Sequence, residues 1–362
     1  MKKSLFGLMV FILLNGCSSP SPAPTLTEPA LLPTQTPTTK SETQGWMDPS
    51  SLTVITVDNV KRVRKLGELL GHSEVVGVVF SPDGKTLASY ALDGTTRLWD
   101  VSTGYEYRVF QRMSVLAYHP EGAFLASGGT DKTVLVWDVE TGEETLVFEG
   151  HTAGIGWRSI DWSPDGKWIA AGSRNGGLLV WDAATGEEAA TLEGHYSDLT
   201  GIRFSPDGTV LASSGEDDYI LLWDVPTWMK KATLLGHQSD VGDVVFLDEG
   251  KILASISGDV TNTDNFIRFW DLDSGEEIGF IQAHEESYYC DLAIHPDGSI
   301  LASSGGFVMD GKLRLYDARQ RELIHELKSG AGGISSVDFS PDGTLIATGS
   351  ADGVIEFWGV DS

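Results

Sequence analysis

Short apolar runs broken by polar, glycine-bearing turns fill the chain from about residue 51 to its end. The stretch from Gly194 to Asp224 shows the repeating unit. Gly194-His195 precedes an apolar pattern that ends at Phe204, and a Ser-Pro-Asp-Gly turn follows at Ser205 to Gly208. Then come Leu211-Ala212-Ser213, a polar turn through Asp217, and Trp223-Asp224. Runs this short, bounded by turn residues, predict strands. The closing words recur at Trp99-Asp100, Trp137-Asp138, Trp181-Asp182, Trp223-Asp224, Trp270-Asp271, Tyr316-Asp317 and Trp358-Gly359, with separations of 38, 44, 42, 47, 46 and 42. Such a period, with four short strand patterns in each copy, is the mark of a propeller blade. Seven closers predict an all-β fold: seven four-stranded antiparallel blades in one ring.

On these residues the chain resembles the WD-repeat β-propeller family over residues 51–362. The resemblance implies a hydrogen-bonded chain in each blade, from a His before the first strand, through a Ser or Thr and an Asp, to the Trp of the third strand. Three blades carry every member: His72, Ser89, Asp93 and Trp99; His195, Ser213, Asp217 and Trp223; His237, Ser255, Asp264 and Trp270. A blade is too small for a large core of its own, so a satisfied polar ladder can fix its strand register. Blade 2 has Gln111-Arg112-Met113 where Gly-His is expected, and blade 3 has Ala171 and Asn175 beside His151. Blade 6 replaces Trp with Tyr316, and blade 7 has only Gly330 near the His position. Blades 2, 3 and 7 are expected to lean more on apolar packing.

The chain stops just after the third strand of blade 7, so that blade needs an outer strand from elsewhere. The segment Val60 to Leu70 has no blade of its own, and Val63, Leu66 or their neighbours are expected to pair with the strand ending at Trp358. Closure of this kind removes an open sheet edge.

Ahead of the repeats, Met1-Lys2-Lys3 precedes an apolar run from Leu5 to Leu14, too short for a stable span and suited to a secretory signal. The run ends in Leu14-Asn15-Gly16-Cys17, which resembles the lipobox of bacterial lipoproteins. The resemblance implies cleavage of residues 1–16 and acylation of Cys17, a durable anchor with more than one chain. Residues 17–45, rich in Pro, Thr and Ser, are expected to be a disordered tether, and residues 46–362 the propeller. With Cys17 acylated, Cys290 has no partner for a disulfide; it reads as a small buried apolar residue. The expected location is the outer side of a cell membrane or an outer membrane.

The net charge of −27 argues against duplex nucleic acid and anionic headgroups as partners. No nucleophile elbow, metalloprotease helix, Cys-x-x-Cys or phosphate loop occurs. The repeated Asp83, Asp165, Asp207, Asp297 and Asp342 read as turn residues. The Asp259 to Asp264 insertion has oxygen ligands but lacks the Gly and distal Glu of a calcium loop. Neither metal, cofactor nor catalytic residue is expected.

Recognition is expected on the face carrying the longer loops, in blades 3, 5 and 6. Tyr288, Tyr289, Phe307 and Met309 form one candidate patch; Trp157, Arg158 and Tyr196 form a second. Trp157 and Tyr289 also suit the apolar start of an inner strand, where they would simply pack. The expected function is a non-catalytic scaffold for a protein or extended peptide, monomeric and held to a membrane by its lipid. The alternatives are a propeller that senses a small ligand or glycan and, further off, a propeller hydrolase or lyase. An enzyme would need polar, titratable residues converging on the channel mouth.

Overall fold

The computed structural model describes residues 46–112, 115–258, 264–284, 290–306 and 311–362. Seven antiparallel sheets follow one another along the chain. In blade 4 the order from the axis outwards is Leu199–Phe204, Val210–Gly215, Ile220–Asp224 and Met229–Leu234. Blades 1, 2, 3, 5 and 6 repeat that four-stranded order. The end of the ring that carries the loop before each inner strand is called the top; the Ser-Pro-Asp-Gly turns lie at the bottom.

Those turns form because Ser and Asp do backbone work. Ser205 Oγ donates to Asp207 Oδ1 at 2.6 Å and accepts from the Val210 N–H at 2.9 Å. Gly208 then takes a φ of 69°, which glycine reaches without a Cβ penalty. Trp181, Trp270, Tyr316 and Phe357 are fully buried between strands. Each such side chain contributes on the order of 2–3 kcal/mol of burial. One apolar cluster, from Val76 through Ile160 to Trp181, runs across blades 1 to 3 and ties neighbours together. Cys290, as expected, is buried in the cluster shared by blades 5 and 6.

Blade 7 closes the ring. Its own strands are Ile334–Phe339, Leu345–Ser350 and Ile355–Asp361; Arg64–Leu69 supplies the outer strand. Lys65 faces Trp358 and Gly67 faces Phe357, so the expected pairing holds with Leu66 in a bulge. Val63, just before that strand, is buried in the blade 6 and 7 cluster. A second clasp was not legible in the sequence: Leu52–Thr53 pairs with Val360 and Asp361 at the bottom end of the same strand. Trp46 pins its start, donating from Nε1 to the Val101 carbonyl at 3.1 Å and meeting Phe357 edge-on. The buried Glu356 carboxylate takes Lys65 Nζ at 2.8 Å and the Ser329 hydroxyl. Among the described residues no helix is long and apolar enough to cross a membrane.

Candidate functional site

Polar ladders set the geometry of the top face. Trp223 Nε1 donates to Ser213 Oγ at 3.0 Å, Ser213 donates on to His195 Nε2 at 2.9 Å, and His195 Nδ1 donates to Asp217 Oδ2 at 2.9 Å. The ring proton positions follow from these partners. Blade 1 repeats the chain through Trp99, Ser89, His72 and Asp93 at 2.8, 2.8 and 2.9 Å. Blade 5 does so through Trp270, Ser255, His237 and Asp264 at 2.8, 2.7 and 3.0 Å. The carboxylate then reaches the next loop: Asp217 accepts the Tyr196 N–H at 3.0 Å, and Asp264 the Gln238 N–H at 2.6 Å. Burial opposes ionisation of Asp217, but His195 and the Tyr196 and Tyr219 N–H groups together outweigh it and hold the carboxyl below its ordinary value.

The irregular blades replace the ladder in different ways. Arg112 enters the empty His place of blade 2 and grips both Asp131 oxygens at 2.7 and 2.8 Å. In blade 3, Ala171 offers no hydroxyl, and His151 Nε2 is buried without a hydrogen bond. Burial pushes His151 down to about 4. In blade 6, His284 reaches Ser303 at 2.8 Å, and Ser303 reaches Tyr316 at 3.2 Å.

The candidate surface residues separate. Tyr196 is 70% exposed, standing edge-on to Tyr219 at 5.8 Å above the blade 4 ladder. Trp157 is half-buried beneath the Arg174 guanidinium, 4.9 Å from its ring. Arg158 is no surface anchor. It is 8% exposed and turns into the axis of the ring. The reason is local: Ile155 faces Ser173 but Ile160 faces Ala171, so the surplus chain of this inner strand bulges, and Arg158 takes a left-handed φ of 48°. Tyr288, Tyr289, Phe307, Met309 and Cys17 lie outside the described residues, as do Asp259 to Thr263 of the calcium-like insertion. Among the described residues no group of three or more His, Cys, Asp or Glu gathers to hold a metal.

The axis holds the feature that the repeat pattern hides. A channel of about 330 Å³ is lined by Arg158, Asp161, Arg203, Asp291, Ser336 and Asp338 among apolar neighbours. Arg158 Nε meets Asp291 Oδ1 at 2.8 Å, and its Nη2 donates to the Ser335 carbonyl. It therefore bridges blade 3 to blades 6 and 7. Arg203 Nη2 lies 3.6 Å from Asp243 Oδ2. The carboxylates also bind backbone: Asp161 accepts the Phe204 N–H at 2.8 Å, Asp291 the Val337 N–H at 2.9 Å, and Asp338 the Phe80 N–H at 2.8 Å. An innermost strand has one edge without a partner strand, and these carboxylates satisfy part of it from the neighbouring blade. Burial pushes Asp161 up to about 6, and Asp243 and Asp338 up to about 7. Burial alone would lower Arg203, but Asp243, Asp161, Asp291 and Asp338 together hold it above its ordinary value.

So titratable groups do converge on the channel, at positions outside the turn and ladder residues of the repeat. A signal existed. Asp161, Arg203 and Asp338 stand one residue before the end of their inner strands, where blades 1, 2 and 6 carry Val79, Ala117 and Ala293. No constellation of nucleophile and base accompanies them in the described contacts; the carboxylates serve strand edges and guanidiniums.

Comparison with known proteins agrees with the ring. Matches at 41% identity over 69 residues to actin-interacting protein 1 of Drosophila melanogaster cover 18% of this chain and 11% of that protein. The human serine-threonine kinase receptor-associated protein is 39% identical over 66 residues, 18% of each chain. Telomerase protein component 1 of Mus musculus is 27% identical over 93 residues, 26% of this chain and 3% of that one. The chain thus spans less than a fifth of each of these relatives. The family model described as WD domain, G-beta repeat matches seven times, at residues 63–100, 111–138, 142–182, 186–224, 228–271, 275–317 and 321–359. With seven matched repeats folded as seven closed blades, the chain belongs to the WD domain, G-beta repeat family.

Proposed function

We propose that this protein is a non-catalytic platform that binds a protein or extended peptide on its top face, held outside a membrane by lipid on Cys17. One observation carries the reading: Tyr196, an amphipathic aromatic at 70% exposure, stands on a loop whose backbone is fixed by Asp217 and the ladder below. An aromatic held on a rigid base loses little entropy when a partner covers it, which is what an interface anchor needs. Two matched relatives are named for association, one as actin-interacting and one as receptor-associated. Fold alone does not carry function, so those names support the class of role and no partner. Trp46 meets Val101 at the bottom of blade 1.

The test uses the full chain in detergent as bait for extracts of its own organism, beside Tyr196→Ala. A partner held by the wild type and lost from a still-folded Tyr196→Ala supports the platform and its site. Capture of no macromolecule by either overturns it. Mass spectrometry of the N-terminal peptide, with Cys17→Ser as control, tests the anchor separately: an unmodified Cys17 ends that part of the proposal.

A further inference from the structure

We propose that the central channel binds a small organic cation bearing one or two ammonium groups, with Asp161 and Asp338 as its counter-ions and the Tyr90 hydroxyl as a polar contact. This goes beyond the platform reading and does not rest on it, because the site lies inside the ring.

The charge count comes first. The channel cluster contains two guanidiniums, Arg158 and Arg203, and four carboxylates, Asp161, Asp243, Asp291 and Asp338. Arg158 is taken by Asp291 at 2.8 Å, and Arg203 leans towards Asp243 at 3.6 Å. Asp161 and Asp338 have no cationic side chain within ion-pair distance among the described residues; their bonds go to backbone N–H groups. Two carboxylates deep in a protein that share only the more distant charge of Arg203 are costly in their charged form. Either protons or a cation must offset them.

Tyr90 supplies the second, independent observation. Its side chain comes from the second strand of blade 1, yet its ring lies over Gly77 of the inner strand, where an added Cβ would sit 2.1 Å from the ring. Glycine at position 77 is what lets the phenol reach the channel. Tyr90 is only 5% exposed, and its hydroxyl makes no hydrogen bond among the described residues. The Tyr118 hydroxyl, on another residue that lines the channel, is buried without a hydrogen-bond partner. Unpartnered polar atoms around a roomy polar cavity give it the capacity to hold a polar ligand.

The lining selects the ligand class. Val79, Ala117, Val245 and Ala293 face the same space with methyl groups, and the described residues offer no metal cluster. Apolar wall beside unpaired carboxylates suits the methylenes and ammonium of an alkylamine better than a hydrated metal ion. The charged and titratable groups at the site are Tyr90 from blade 1, Tyr118 from blade 2, Arg158 and Asp161 from blade 3, Arg203 from blade 4, and Asp243, Asp291 and Asp338 from blades 5 to 7. Blade 2 contributes Val115 to Tyr118 and no charge. Because Asp161 and Asp338 hold protons up to about 6 and 7, a cation must displace protons, and its affinity falls as the medium is acidified.

The experiment is calorimetric titration of the full chain in detergent with 1,4-diaminobutane, with 1,4-butanediol as neutral isostere and magnesium chloride as metal control. The expected result is saturable binding of the diamine with proton release, no binding of the diol, and at least tenfold weaker binding to Asp161→Asn/Asp338→Asn. Asn retains a backbone-accepting oxygen, so this variant keeps the strand-edge bonds. Tyr90→Phe, which keeps the ring, is expected to weaken binding severalfold and guards against a double variant that fails to fold. No diamine binding, equal binding by the variants, or magnesium binding as tightly as the diamine would each overturn the proposal. All three leave the top-face capture experiment untouched.

Discussion

Arg158 Nε stands 2.8 Å from Asp291 Oδ1 across the axis of the ring, joining the inner strand of blade 3 to that of blade 6. Both side chains are buried, so each is the other's main compensation for leaving water. Arg158→Met should cost about 3 kcal/mol, within the range for stranding one partner of a buried pair. Restoring neutrality with Arg158→Met/Asp291→Asn should recover part of that loss. Urea midpoints of Arg158→Met, Asp291→Asn and the double variant give the coupling; additive losses would show that the bridge contributes nothing.

Blade 3 offers a gain. Ser213 holds its blade's ladder together, whereas Ala171 at the matching place leaves His151 Nε2 unpaired. Ala171→Ser should supply the missing hydroxyl and raise stability by about 1 kcal/mol. The reverse change in blade 4, Ser213→Ala, should lose about 1–3 kcal/mol, because it strands both the imidazole and the Trp223 indole. Thermal unfolding of the two variants compares them directly.

The channel carboxyls make stability depend on pH between acid and neutral. Asp161, Asp243 and Asp338 have folded values of about 6, 7 and 7, above an unfolded carboxyl near about 3.9. Their contribution is full below the unfolded value and is lost as pH rises through 6 to 7. Burial pushes His151 down to about 4, so its contribution runs the other way and is lost as pH falls below the ordinary imidazole value. Burial lowers His72 and His237 as well, so three imidazoles oppose the three carboxyls. Asp338→Asn removes one carboxyl from that balance, so its urea midpoint should fall less than that of the wild type between about pH 5.5 and about pH 8. An unchanged slope in that variant would assign the effect to the −27 surface instead.

The N-terminal clasp should matter beyond its length. Trp46 is half-buried against Phe357 and Gly104, where an added Cβ would come within 2.7 Å of the indole. Trp46→Ala should cost about 1–3 kcal/mol, below the value for a fully buried Trp. Gly104→Ala, at a φ of 69°, should destabilise both through strain and by displacing the indole. Limited proteolysis reading release of residues 46–53 would show whether the clasp opens before the ring.

The sequence by itself determined the blades. Closely spaced partners within one repeat, such as Ser213 and Trp223 ten residues apart, are set by strand register, so the motif carries its own geometry. Closure by Arg64–Leu69 was legible for the same reason: six blades repeat four strands, and the seventh lacks one. Only the tertiary structure decided the channel. Asp338 meets Phe80 and Arg158 meets Asp291 at separations of 258 and 133 residues, distances that only ring closure brings to zero. It also turned Arg158 inwards, because a bulge reverses the side that a strand residue faces and local sequence does not fix where the surplus chain is absorbed. Repetition makes each blade readable alone; the axis exists only once all seven meet.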